Sequence, residues 1–180
     1  TAKANDVLNA LSSKYEIRVS ATTKKLPTAE YYEIPEEEVI GSGLITRALY
    51  INEDINIDEV EDIDTETLFL IQKADEKRKE IKQAYVEHGE NVNPLVIIQF
   101  PDMSERLIEY VEEHLEQMGY TYKNGLVSKW LSDEKINIEN LTDNDYSSNF
   151  LIMKQAVSTG WDCPRAKVLV KLRENMTETF

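Results

Sequence analysis

One cysteine, Cys163, is present in 180 residues, which excludes an internal disulfide and any zinc site built on several thiolates. Glycine is also scarce, at positions 41, 43, 89, 119, 125 and 160, and none of these is followed by lysine. The Gly-rich loop ending in Lys and Ser or Thr that cradles nucleotide phosphates is therefore missing. No Asp-Glu pair closes an apolar strand, so the acidic box that would hold magnesium is missing too. The two histidines, His88 and His114, fall on Glu-rich helical faces. A zinc site needs three or four converging ligands, so both are expected at the surface.

No segment approaches the about 18 uninterrupted apolar residues of a membrane span, and the start TAKANDVLNA has neither the basic nor the apolar region of a secretion signal. The expectation is a cytoplasmic protein with no membrane partner. Positive charge is in short supply: 20 basic against 34 acidic side chains leave a net charge of −14, which argues against binding nucleic acid by bulk electrostatics. Any DNA contact has to be local. The acidic runs at Glu36-Glu37-Glu38, from Glu53 to Glu66 and around Glu109 to Glu116 read most simply as solvated faces and linkers.

What is present is the composition of a globular chain, with 41% hydrophobic and 30% charged residues. Its length suits one domain, or one domain plus part of a neighbour. The chain begins at Thr1 without an initiator methionine and stops at Phe180 just after an expected strand, so it reads as an excerpt. Along it, a short helix is expected over Asn5–Ser13, a strand over Glu16–Ala21, a hinge at Gly41-Ser42-Gly43 and a strand over Thr46–Asn52. A long helix from Asp64 to about His88 follows, with Leu68, Ile71, Ile81 and Tyr85 inward, KADEKRKE wet and Gly89 as its stop. The apolar run Leu95–Phe100 suggests a strand buried on both faces. A second helix, about Asp102–Met118, carries the stripe Leu107, Ile108, Val111 and Leu115, and Gly119 ends it. Further strands are expected at Gly125–Leu131, Asn149–Lys154 and Ala166–Leu172. This order predicts an α/β fold with a mainly parallel sheet and flanking helices.

The informative segment is FLIMKQAVSTGWDCPRAKVLVKL, residues 150–172. A strand ends near Lys154, a loop carries Thr159, Gly160 and Asp162, and another strand starts after Pro164. Ligands bind open α/β sheets at the loops beyond the strand carboxyl ends. Gly160 allows close approach to a phosphate, Thr159 offers a hydroxyl and Asp162 can accept from a ribose. A plainer reading is open from spacing alone: Gly160 turns the chain, Trp161 plugs the core and Asp162 caps a turn. Cys163, a lone cysteine beside proline, reads as a small packed residue.

TGWDCPRA, followed by the strand VLV and then Arg-Glu, resembles motif V of the helicase subunit of type III restriction enzymes, in helicase superfamily 2. Upstream, RVSAT (Arg18–Thr22) is similar to motif III, and LVIIQF falls where motif IV stands. The resemblance touches nearly the whole chain, from Arg18 to Glu174, and implies a RecA-like sheet, incomplete here. On it, residues 1–40 are the tail of a first RecA-like lobe with its linker, and 44–180 most of a second, truncated before motif VI. It implies that Ser20, Ala21 and Thr22 couple nucleotide state between lobes, and that Gln99 and Phe100 border the nucleic-acid track. It further implies that Thr159 and Gly160 contact the DNA backbone and that Asp162 faces the nucleotide ribose. Arg165 either pairs with a phosphate or braces Asp162 or Glu174. ATP and Mg2+ are the implied cofactors, and DNA and a methyltransferase subunit the implied partners. Phosphate loop, acidic box and motif VI all lie outside this sequence, so the fragment alone is not expected to turn over ATP. Two alternatives stay open: another superfamily 2 helicase acting on RNA or in repair, and an acidic protein-interaction module that binds no nucleotide.

Overall fold

The structure, a computed structural model, describes residues 6–7, 10–11, 14–17, 19, 27–43, 45, 48–52, 55, 63–154 and 161–173. Of the residues singled out above, Ser20, Ala21, Thr22, Thr159 and Gly160 lie outside the described residues. The chain divides into two compact units, Thr1–Asp54 and Ile55–Phe180.

In the first unit, helix α1 spans Glu36–Gly41 and stands on Pro35, with Glu36, Glu37 and Glu38 in its first turn. Three carboxylates there face the positive end of the helix dipole, so the acidic patch helps the turn form. The expected hinge at Gly41-Ser42-Gly43 is thus the end of a helix, where the Ser42 hydroxyl donates to the Val39 carbonyl at 2.7 Å. The expected strand over Thr46–Asn52 is not one at residues 48–52. Leu49, Tyr50 and Ile51 are exposed, and Asn52 takes a positive φ of 49°. Strand propensity alone does not make a strand without a ladder partner.

The second unit is an α/β layer structure. Helix α2 (Ile63–Glu87) leads to strand β1 (Leu95–Gln99), helix α3 (Glu105–Gln117), then strands β2 (Val127–Trp130), β3 (Lys135–Ile136), β4 (Phe150–Met153) and β5 (Ala166–Lys171). The sheet order is β3-β2-β4-β1-β5. β2, β4, β1 and β5 run parallel, and only the two-residue β3, unforeseen in the sequence, is antiparallel among the described strands. Both long helices end as the glycine placement predicts: Gly89 and Gly119 follow them at φ +77° and +86°, a conformation other residues reach only at a cost.

β1 lies between the middle strand β4 and the edge strand β5, and its apolar run is buried fully on one face and in part on the other. On one face, Val96, Ile98 and Phe100 join Phe150, Ile152, Val127 and Val170 of the neighbouring strands. Ile71 and Ala74 of α2 and Ile108, Val111 and Leu115 of α3 close over them. Each large apolar side chain so buried stabilises the fold by about 1.5–3 kcal/mol. The opposite face centres on Leu95, Leu151, Met153 and Leu141, capped by Tyr146, Trp161 and Cys163. No described helix covers that side.

Candidate functional site

Registered pairing sets a row of residues at the carboxyl ends of the parallel strands. Trp130 pairs with Met153, Met153 with Gln99, and Gln99 with Lys171. β4 ends in this row at Met153, beside the end of β1, and Thr159 and Gly160, six and seven residues on, lie outside the described residues. Gln99 is half-buried there, and its carbonyl accepts the Leu172 N–H at 2.9 Å. Phe100, one residue on, is 2% exposed and packs in the helix-covered core, so it is a core side chain rather than one lining a surface track. Next to the row, Lys154 donates to Glu105 in the first turn of α3 at 2.7 Å. That hydrogen bond, with the backbone and the lysine charge adding to it, holds the Glu105 carboxyl below its ordinary range.

From Trp161 the chain returns toward β5 and turns at Pro164-Arg165, where the Ala166 N–H donates to the Cys163 carbonyl at 2.9 Å, and burial alternates: Trp161 and Cys163 are half-buried, Asp162 and Pro164 exposed, Arg165 buried. The motif-like stretch therefore divides its side chains between the interior and solvent. Trp161 meets Trp130, the last residue of β2, edge to face with ring centroids 5.9 Å apart. Cys163 packs in the second core with its Sγ 3.6 Å from the Leu141 carbonyl. Burial pushes its thiol pKa up, the opposite of what a nucleophile needs. Asp162, between them, presents its carboxylate to solvent beside the Trp130–Trp161 pair.

Arg165 behaves otherwise. It is 0% exposed, at the amino-terminal margin of the sheet, one residue before β5. Its guanidinium donates to the carbonyls of Asn93 (2.9 Å), Leu141 (3.2 Å) and Tyr146 (2.9 Å), and to that of Ser148. Five donors in a planar fork suit such a cluster of carbonyls, and none of these contacts leaves the guanidinium facing outward. Neither a phosphate contact nor a brace to Asp162 is its role in this arrangement: it pins the strand starts together.

The same margin carries the largest departure from the sequence reading. KADEKRKE was expected to be wet throughout, yet Ala74, Asp75 and Arg78 are 5%, 2% and 4% exposed. Arg78 bonds Asp75 at 2.8 Å and reaches Asn149 and the Tyr120 hydroxyl at 3.3 Å, while the Tyr120 hydroxyl donates to Asp75 at 2.9 Å. Asn149 also accepts from Asn93, which donates on to three backbone carbonyls of residues 146–148. Burial pushes the Asp75 carboxyl up, but hydrogen bonds from Lys79, Tyr120 and Arg78 outweigh it and leave the group below 3.8. The available signal was position: Asp75 and Arg78 follow Ile71 by four and seven residues, on the inward stripe. Treating charge as a surface label hid it.

His114 is also less exposed than expected. It is half-buried, its Nε2 has no hydrogen-bond partner, and burial holds its pKa below 6.5. It lines a cleft of about 440 Å³ with Gln72, Asp75, Glu76, Lys79, Met118 and Tyr120. A second cleft, about 430 Å³, is walled by Glu109, Glu112, Glu116, Tyr120, Tyr122 and Val127 among others. Neither is lined by the carboxyl-end row. Among the described residues no group of three His, Cys, Asp or Glu converges to hold a metal, and no helix is long and apolar enough to cross a membrane. Comparison with models of protein families, with curated proteins and with solved structures found no match.

Proposed function

We propose that the chain is part of the motor of an ATP-dependent DNA translocase, the helicase subunit of a type III restriction endonuclease, with the second unit as part of a RecA-like lobe. The observation that carries this reading is the segment Trp161–Arg165, which divides its side chains between support and solvent. Trp161, Cys163 and Arg165 anchor the run, and Asp162 alone offers an exposed polar group. A carboxylate held this way can accept two hydroxyl hydrogen bonds, as a ribose supplies. Gln99, at the carboxyl end of β1, offers amide donors to a phosphate backbone.

In the intact protein, ATP and Mg2+ would sit on a phosphate loop and acidic box supplied from outside this sequence. The magnesium ion would neutralise charge on the transferring phosphoryl group. This chain's own contribution is positioning: Asp162 toward the sugar, the loop after β4 toward DNA. Closing and opening of lobes around the nucleotide would then move the enzyme on duplex DNA before cleavage, in partnership with the methyltransferase subunit that reads the site.

The net charge of −14 favours a second reading, an acidic protein-interaction module without nucleotide. One experiment separates them. In the intact protein that carries this chain, duplex DNA should raise ATP hydrolysis, and Asp162→Ala should weaken ATP affinity about tenfold, the loss of one charged hydrogen-bonding group. Hydrolysis indifferent to both DNA and the substitution would favour the interaction module.

A further inference from the structure

Several of the described cations are engaged, and Arg106 and Lys123 stand exposed and singly. Lys73, Lys77, Lys79, Arg78, Lys129 and Lys154 each pair with a carboxylate, and Arg165 is buried on carbonyls. Strand β5 differs. Lys167, Lys171 and Arg173 are all exposed, and no described carboxylate pairs with any of them. Between them Leu169 is 61% exposed, although its neighbour across the ladder, Ile97, packs into the second core. Val170 and Leu172 point the other way, into the helix-covered core. The outer side of β5 is thus a basic stripe, K-x-L-x-K-x-R, in a strongly acidic chain.

Its position is as informative as its charge. β5 is the last strand of the sheet, with no described strand on its far side. The register shift between Leu95 and Val96 leaves Lys167 without a partner on β1. Such a bulge re-aims a side chain. At the other end Lys171 is registered with Gln99, in the carboxyl-end row. Residues on a parallel strand advance about 3.3 Å each, so Lys167 and Lys171 sit roughly 13 Å apart along β5, and Arg173 follows two residues past its end. One strand of duplex DNA advances about 3.4 Å per phosphate. A stripe of this length spans several phosphates, and an arginine at one end can grip one of them with two parallel hydrogen bonds. Antiparallel pairing of two copies through β5 would bring lysines of one stripe against cations of the other, which disfavours self-association here.

We infer that the outer side of β5 is a contact surface for the phosphate backbone of duplex DNA, with Lys167, Lys171 and Arg173 as its cations and Gln99 at its inner border. This rests on the motor reading for the identity of the polyanion and extends it, because that reading gives none of the three cations a role. The surface supplies what the overall charge denies, a local basic track. It carries no base-reading group and is sequence-independent.

The test is binding of a fluorescently labelled duplex to the full chain, followed by anisotropy from low to moderate salt. The comparison is a triple variant, Lys167→Gln, Lys171→Gln and Arg173→Gln, and a charge-reversed one with Glu at the same positions. Three lost phosphate contacts should flatten the slope of log affinity against log salt by about three. Affinity should fall at least tenfold in the Gln variant and further in the Glu variant, with thermal midpoints unchanged because all three side chains are exposed. Binding by the parent that the variants keep, with the same salt slope, would overturn the inference while leaving the motor reading to the ATPase experiment. No binding by the parent would overturn it too. Preferential capture of a poly-glutamate peptide over the duplex, lost in the same variants, would show the stripe to be a protein contact and would also overturn it.

Discussion

The two ends of one sheet are built on opposite plans. At the amino-terminal margin the buried polar side chains are tied to partners: Arg165 holds four carbonyls, Asn93 three, and Asp75, Arg78, Tyr120 and Asn149 close a network between α2 and the entry to β4. At the carboxyl-terminal margin Lys171 and Arg173 are exposed and Gln99 is partly so, and Asp162 is exposed next to Trp161, which meets Trp130 there. Buried polar groups demand partners, so the network at the first margin serves the fold. Groups left in water need none from the chain and are free to bind something else. The contrast locates a candidate site without any ligand in view.

The comparison breaks most readily at Arg165. Arg165→Met would strand a cluster of buried carbonyls and should destabilise the chain by about 3 kcal/mol or more, read from the midpoint of urea unfolding. A loss under about 1 kcal/mol would mean that the amino-terminal margin is not the structural end.

Next comes Asp75. Asp75→Ala leaves the Arg78 guanidinium buried with only Asn149 and Tyr120, and should cost about 3 kcal/mol, toward the low end for a broken buried pair. Its folded-state pKa lies below 3.8, so its stabilising contribution is present above that value and is lost as pH falls through the folded pKa. The acid limb of unfolding should therefore flatten in the variant.

A smaller effect belongs to His114. The fold holds it neutral, so the unfolded chain takes up its proton first, and stability should decline as pH falls below 6.5 until the folded pKa is passed. His114→Gln should remove that decline while leaving the more acidic one due to Asp75. Identical pH profiles for parent and variant would show that the histidine does not matter to the cleft it lines.

Much of the second unit was legible in the sequence because apolar period and punctuation agreed. Ile108, Val111 and Leu115 recur at helical spacing, Gly89 and Gly119 stand where helices stop, and the unbroken run in β1 signals two covered faces. β3 was not legible, since two residues, Lys135 and Ile136, carry no alternation. Residues 48–52 misled for the converse reason: TRALYIN has the composition of a strand, but pairing is a property of the neighbours. In the candidate site, TGWDCPRA marked the right stretch without sorting it. Arg165 and Asp162 are three residues apart, and only the turn closed by the Cys163 carbonyl and the Ala166 N–H, together with four waiting carbonyls, sends one inward and leaves the other out. Burial of Asp75 and Arg78 depends on Tyr120 and Asn149, 45 and 71 residues away from them respectively, so helix-local reasoning could not supply it.

The sharpest measurement pairs stability with binding at Asp162 in the intact motor proposed above. Asp162→Ala should unfold within about 0.5 kcal/mol of the parent, as exposed substitutions do, while its affinity for ATP drops about tenfold. A variant that unfolds as early as Arg165→Met, or that binds ATP as the parent does, would contradict the division of labour between the two margins.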